Sequence, residues 1–284
     1  MKKTWAIFSA MTLLAILLLA GCGTKDAGSG SGASTEGETK KETFTIGMEA
    51  GYPPFNWTQK DDSNGGVKIS GNAEYAGGYD VEIAKRVAES LGKELVIVKT
   101  EWDGLVPSLT SGKIDAIMAG MSPTKKRKKT IDFTDNYYTS NYVMVVKKGS
   151  KYEKATSIQD FSGAKITGQL NTTHYDVIDQ ITGVKKQAAM DNFPAMRVAL
   201  ESGVIDGYVS ERPEGISSSA ANDKFVMVEF TDGFKASEED TAIAVGIEKD
   251  SELKDKINEI LKGISEEERT EIMDKAIANQ PAAK

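Results

Sequence analysis

A seven-residue echo limits how this chain can fold more than any other feature. Leu109-Thr-Ser-Gly-Lys-Ile-Asp115 recurs as Leu200-Glu-Ser-Gly-Val-Ile-Asp206. Both copies follow a helical pattern and lead into a short strand, so the glycine is placed to close a helix and the isoleucine to enter a sheet. A chain that makes the same helix–glycine–strand turn twice is expected to build two lobes from related units.

The neighbouring segments agree with this. Tyr79 to Leu91 sets Ile83, Ala84, Val87, Ala88 and Leu91 on one helical face, with Asp80 placed to cap the start and Gly92 to end it. Leu95–Val98 reads as a buried strand, Asp103–Ser111 as a short helix with Pro107 in its early part, and Ile114–Ala119 as the next strand. Strands alternating with helices argue for an α/β fold with a largely parallel sheet. Ligands of such sheets gather beyond the carboxyl ends of the strands, so the residues just after the two echoes are the first candidates for function.

Gly120-Met-Ser-Pro-Thr-Lys-Lys-Arg127 follows the first echo and Ser210-Glu211-Arg-Pro the second. One side offers a guanidinium and hydroxyls, with Thr124 placed to cap the turn bearing Arg127; the other offers a carboxylate. A guanidinium grips a carboxylate through two parallel hydrogen bonds, and a carboxylate binds an ammonium. Opposite charges across a cleft therefore suit a free amino acid. Taken singly, neither residue carries that reading. Lys125–Lys129 is a run of five basic residues, ordinarily a solvated surface, and an isolated Glu211 is ordinarily half of a weak surface ion pair.

Two aromatic stretches also lie at expected strand ends. Gly51-Tyr-Pro-Pro-Phe-Asn-Trp57 follows the first strand, and Glu101-Trp102-Asp103-Gly104 follows the strand at 95–98. Tyr52 and Trp102 are placed to sandwich a ligand side chain, Glu49 to meet a basic or amide group, and Phe55 to be core.

The ends of the chain address location. Lys2 and Lys3 precede an apolar run from Trp5 to Ala20, shorter than the roughly 20 residues a membrane span needs. The run ends Leu19-Ala20-Gly21-Cys22, which resembles the lipobox of bacterial lipoproteins, where the cysteine is lipidated and anchors the mature chain. Residues 1–21 are thus expected to be a signal peptide and 22–43, rich in Gly, Ser, Thr, Lys and Glu, a lipidated flexible tether. Cys22 is the only cysteine, so no internal disulfide forms and stability must come from packing. The net charge of −7 argues against nucleic acid as a partner.

The ordered set of motifs resembles the extracytoplasmic solute-binding proteins of polar amino-acid ABC transporters (family 3), which have the type II periplasmic-binding fold. Gly51-Tyr-Pro-Pro-Phe55, Gly77-Gly-Tyr-Asp80, Trp102-Asp-Gly-Leu-Val-Pro-Ser-Leu109, Gly112-Lys-Ile-Asp115, Gly120-Met-Ser-Pro-Thr-Lys-Lys-Arg127 and Ile131-Asp-Phe-Thr-Asp-Asn-Tyr-Tyr138 carry the likeness. It implies a two-lobe α/β protein with its ligand in the interlobe cleft. Lobe 1 would be 44–140 with 241–284, lobe 2 would be 141–240, and the crossings would lie near Ser140–Tyr142 and Glu238–Thr241. It places carboxylate binding on Arg127 with Ser122 and the backbone near Gly120 and Met121. Stacking falls on Tyr52 and Trp102, the side-chain acid on Glu49, a donor loop on Asn171, Thr172 and Thr173, and ammonium binding on Glu211. Glu211 stands where the family commonly has an aspartate, one methylene shorter. Thr58–Ala76 is longer than the family pattern, and Glu266–Lys284 lacks its aromatic ending.

The resulting expectation is a monomeric, lipid-anchored protein outside the cytoplasmic membrane. It would capture a polar amino acid (arginine, lysine or glutamine favoured) and deliver it to an ABC permease, with no cofactor, metal or catalysis. A dehydratase-like enzyme on the same fold is the alternative, with a sensor or adhesin domain as a third reading. His174 is the only histidine, so nucleophilic triads have no second candidate base, and no metal cluster or phosphate-binding loop appears.

Overall fold

The computed structural model describes residues 42–281. The expected signal peptide, the lipidation site at Cys22 and nearly all of the tether lie outside the described residues. The first strand begins at Thr43, one residue inside the segment expected to be tether.

Two five-stranded sheets organise the chain, and they share one plan. In the first, the order is Glu94–Lys99, Thr43–Met48, Ala116–Ile117, Ala242–Ile247, Asp132–Thr139. In the second, it is Lys185–Lys186, Lys165–Thr167, Gly207–Glu211, Tyr142–Lys147, Phe225–Val228. The first three strands of each are parallel and the last two run antiparallel to them or to each other in turn. The chain leaves the first sheet after Thr139, enters the second at Tyr142, and returns at Ala242. These passages are tied where they pass, the Ser140 amide donating to the Thr241 carbonyl at 3.0 Å.

The strand after each echo holds the third place in its sheet. Its start is pinned identically both times. Asp115 accepts the Thr45 amide on its side chain (2.7 Å), as Asp206 accepts the Lys165 amide (2.8 Å). Gly112 and Gly203 turn the chain out of the preceding helix with φ of +70° and +79°, a conformation glycine adopts without penalty. Ile114 and Ile205 are buried, but regular pairing starts two residues after each, so the strand expected over 114–119 is paired only at Ala116–Ile117.

The helix Tyr79–Ser90 forms as its spacing predicts and buries Ile83, Ala84, Val87 and Ala88. Asp80, however, is not its cap. Gly78 holds that position, and the fully buried Asp80 carboxylate accepts hydrogen bonds from Asn56 Nδ2 (2.8 Å) and the Tyr137 hydroxyl (2.6 Å). The long Thr58–Ala76 region is not irregular throughout. Asn56–Gln59, Val67–Lys68 and Tyr75–Gly77 pair with Gly51–Tyr52 in a small four-stranded sheet. The C-terminal helix Glu266–Asn279 packs on Tyr79–Ser90, where Glu268 pairs with Arg86, and reaches the helix Arg212–Ala221, where Gln280 Nε2 donates to the Ser217 carbonyl (3.1 Å).

The main core fills the first sheet with Phe44, Ile46, Met48, Ile97, Ile117 and Val245. It continues through Tyr52 and Phe193 to Met196, Leu200 and Tyr208 beside the second. A separate cluster built on Met144, Val146, Phe161, Ile166 and Val209 closes the other face of that sheet.

Candidate functional site

The carboxyl ends of the third strands converge. On the first side the chain runs from Ala116–Ile117 through Gly120 to Ser122 and then into a single turn at Arg127–Lys129. Thr124 Oγ1 accepts the Arg127 amide (3.3 Å), although Lys126, not Thr124, holds the cap position of the turn. Within the basic run, Lys125, Lys126, Lys128 and Lys129 are exposed while Arg127 points inward. Its guanidinium lies 5.0 Å from the centre of the Trp102 ring and donates to the carbonyls of Ser122 (2.9 Å) and Asn171 (3.1 Å). Two of its five N–H groups are thereby used, leaving three to offer. Burial lowers its pKa to about 10, which still leaves it charged at neutral pH.

On the second side Glu211 ends its strand and is 1% exposed. Neither carboxylate oxygen has a hydrogen-bond partner. The contrast with Glu214, three residues on and also fully buried, is instructive. Glu214 accepts from Arg197 Nη2 (2.7 Å), Tyr208 (3.0 Å) and Ser210 (2.5 Å), a satisfied structural carboxylate. A buried carboxylate with no such partners is costly, and Glu211 is the one that faces the cleft residues. His174 Nε2 approaches Glu211 Oε1 at 3.2 Å without hydrogen-bond alignment, and the Tyr52 hydroxyl is likewise unpartnered. Burial, then the charges of Glu211 and Glu214, hold the Tyr52 phenol well above its usual range.

Between these groups the structure is shut. Tyr52, Trp102, Gly120, Ser122, Arg127, Gln169, Thr172, Thr173 and His174 enclose a cavity of only about 10 Å³, space for about one water. Glu211 is not on that cavity's wall but touches His174, which is. Three polar contacts and one stack close the gap. Gln169 Nε2 donates to Glu49 (2.9 Å), Asn171 Nδ2 donates to Asp103 (2.9 Å), Arg127 reaches the Asn171 carbonyl, and Tyr52 stacks on Phe193 with ring centres 4.2 Å apart. Burial pushes the Glu49 carboxyl up to about 7; the Gln169 amide opposes the shift and the neighbouring Glu101 and Asp103 add to it. Outside lies a depression of about 380 Å³ lined by Glu101, Trp102, Asp103, Leu170, Asp191 and Asn192, with three carboxylates.

The backbone fits this arrangement closely. Gly120 has φ of +61°, and a Cβ there would stand 2.8 Å from the Tyr52 ring, so only glycine lets the ring lie flat on this strand end. The carbonyl of Asp240, at the return passage, accepts from Ser122 Oγ (3.1 Å), Tyr142 (3.0 Å) and Thr173 Oγ1 (3.5 Å), gathering hydroxyls from both sides onto one atom.

The structure thus gathers Glu49, Tyr52, Trp102, Gly120, Ser122, Arg127, Asn171, Thr172, Thr173 and Glu211 around one cleft. Met121 departs from expectation. Its side chain is core, and its carbonyl is taken by the Ala244 amide (3.1 Å). The expected sandwich also differs. Tyr52 faces Phe193, and Trp102 faces Arg127. Sequence reasoning missed Gln169, His174 and Phe193 as site residues. The echo held the signal for Phe193: carried back seven positions from Leu109 and Leu200, it aligns Trp102 with Phe193, each the first residue of its helix.

The sequence profile of the bacterial extracellular solute-binding proteins, family 3, matches residues 44–279. Among curated proteins, the chain is similar to the arginine-binding extracellular protein ArtP of Bacillus subtilis, 28% identical over 92% of both chains. It is also similar to the glutamine-binding protein GlnH of the same organism, 30% identical over 99% of this chain and 100% of the other. Among solved structures, holo ArgBP from T. maritima superposes with a TM-score of 0.65 at 30% identity, covering 80% of this chain and 92% of that one. An ancestral arginine-binding protein bound to glutamine gives 0.69 at 30% identity, covering 83% and 97%.

Proposed function

Given that the chain belongs to the bacterial extracellular solute-binding proteins of family 3, we propose that it captures a free amino acid between its two sheets for delivery to an ABC permease. The observation that carries this reading is the pairing of two buried, incompletely used charges from opposite sides of one cleft. Arg127 has spare donors, and Glu211 has no hydrogen bond at all. An α-carboxylate answers the first and an α-ammonium the second. Ser122, Thr172 and Thr173 add hydroxyls, and Tyr52 and Trp102 supply flat surfaces.

The side chain would then run toward Glu49 and the acidic depression at Glu101, Asp103 and Asp191. That surface suits a cation or an amide, in keeping with relatives named for arginine and glutamine. Arginine, lysine and glutamine are the leading ligands.

A cavity of about 10 Å³ cannot hold an amino acid. The halves must part to admit it, and the ligand then replaces contacts the protein makes with itself, such as Gln169 on Glu49. It favours closure only by its greater affinity for the closed form. Lipidation at Cys22 would keep the protein at the membrane beside its permease, and the protein would act as a monomer.

A thermal-shift panel of the free amino acids tests the reading. A ligand at 100 times its Kd adds about 2.7 kcal/mol of stability, so one or two polar amino acids should raise Tm by several degrees. No shift with any amino acid, together with turnover of a prephenate-like substrate, would transfer the protein to the enzyme reading.

A further inference from the structure

His174 is the first residue to consider beyond the ligand clamp. It is 5% exposed, sits on the short helix Thr173–Asp176 and is the chain's only histidine. Its ring lines the residual cavity, edge-on to Tyr142 and Phe193. Both ring nitrogens lack hydrogen-bond partners, as do both oxygens of Glu211 3.2 Å away. Four buried polar atoms in one contact are left unsatisfied, an arrangement a protein does not keep without a further charge or partner.

The extra methylene of Glu211 is what lets the carboxylate reach the imidazole. Empty, the pair is buried, and a lone carboxylate charge there is costly unless a positive charge stands beside it. Once an ammonium arrives, it supplies the same positive charge. On the amino-acid reading above, we infer that His174 is a positioning residue for Glu211. It holds the neutralising proton in the empty protein, the incoming ammonium displaces that proton to solvent, and binding thus releases one proton.

The sign follows directly. A proton released on binding means that lowering the pH weakens affinity, by at most tenfold per pH unit. Other groups facing the pair are Tyr52, the hinge phenols Tyr138 and Tyr142, Arg127 and Asp80; Asp176 and Asp240 face Arg127, and Glu214 is neutralised by Arg197. Glu49 and Asp80, both pushed up to about 7 by burial, titrate over the same range. A pH profile of the native protein alone therefore does not isolate His174.

Calorimetry at pH 7 in buffers of different ionisation enthalpy counts the protons. With L-arginine or L-glutamine as probe, the native protein should release close to one proton more than His174→Asn, whose remaining release reports Glu49 and Asp80, and the variant should have a flatter Kd–pH profile. Equal release by both proteins, or none by the native protein, overturns the inference. The native protein offers a second measurement that needs no variant. With one histidine in the chain, its ring C–H resonances are unambiguous, and adding ligand at fixed pH should shift them from the protonated toward the neutral position. Unchanged resonances overturn the inference even where binding is tight. Absence of binding heat with every amino acid at every pH would instead remove the amino-acid reading, and this inference with it.

Discussion

The two echo units are one device used twice, and they differ where the ligand would sit. Trp102–Asp115 and Phe193–Asp206 each open a helix with an aromatic at the cleft and bury Leu105 or Met196 and then Leu109 or Leu200. Each turns at a left-handed glycine and clamps a neighbouring strand's amide with an aspartate. Five residues beyond that aspartate the correspondence ends. The first unit has Gly120, and the second has Glu211. The glycine lets the Tyr52 ring lie on the backbone and sends the chain on to Arg127. The glutamate is itself the charged group. Repetition thus supplies position, and a single divergent site supplies the sign of the charge.

That comparison can be broken most decisively at its charged ends. Arg127→Ala should weaken amino-acid binding by roughly 100-fold or more, the cost of leaving a buried carboxylate unpaired being about 3 kcal/mol, while the circular dichroism spectrum is unchanged. Native-like affinity by calorimetry would place the carboxylate elsewhere. Glu211→Gln keeps the shape and removes the charge. It should cost about tenfold in affinity while the ligand-free Tm moves by no more than a few degrees, since Glu211 accepts no aligned hydrogen bond from the protein. A loss of the ligand-free fold would mean that Glu211 is structural, as Glu214 is.

The seam between the units gives a pH test. Glu49 takes up its proton more readily folded than unfolded, its carboxyl being raised to about 7 from about 4.5. Such a group costs stability as pH rises from about 4.5 to 7 and no further above that, and costs nothing once both states are protonated. Glu49 should therefore add about 2 kcal/mol of ligand-free stability on acidification from pH 7.5 to 5, and Glu49→Gln should remove that share of the change measured in urea, leaving the share of Asp80. The smallest effect concerns the shared clamp. Asp115→Ala and Asp206→Ala each remove one hydrogen bond to a strand amide and should each cost about 1 kcal/mol in denaturant unfolding. A clear inequality would show that the two copies no longer do the same job.

How much of this was legible beforehand follows the same division. The helix at 79–90 and the strand at 94–99 announce themselves through periodicity, because their burial is one-sided and local. The opposition of Arg127 and Glu211 came from the echo together with the rule that ligands gather at strand ends. Asp80 was misread because an acidic residue in a helix's first turn satisfies the capping pattern, whereas its actual partners, Asn56 and Tyr137, are tertiary. Met121 was misread because its neighbours face the cleft while its own side chain turns to core. Gln169 and His174 were invisible for a physical reason. Their importance lies in contacts with Glu49 and Glu211 across the fold, and no local spacing encodes such distances.

The Asp240 carbonyl bears on how closure could be sensed. A carbonyl oxygen has two lone pairs, yet hydroxyls from Ser122, Tyr142 and Thr173 all crowd upon this one. It lies beside the return passage between the two five-stranded sheets. On the proposed capture, a guest that draws the Ser122 or Thr173 hydroxyl to itself would relieve that crowding right next to the two passages of the chain.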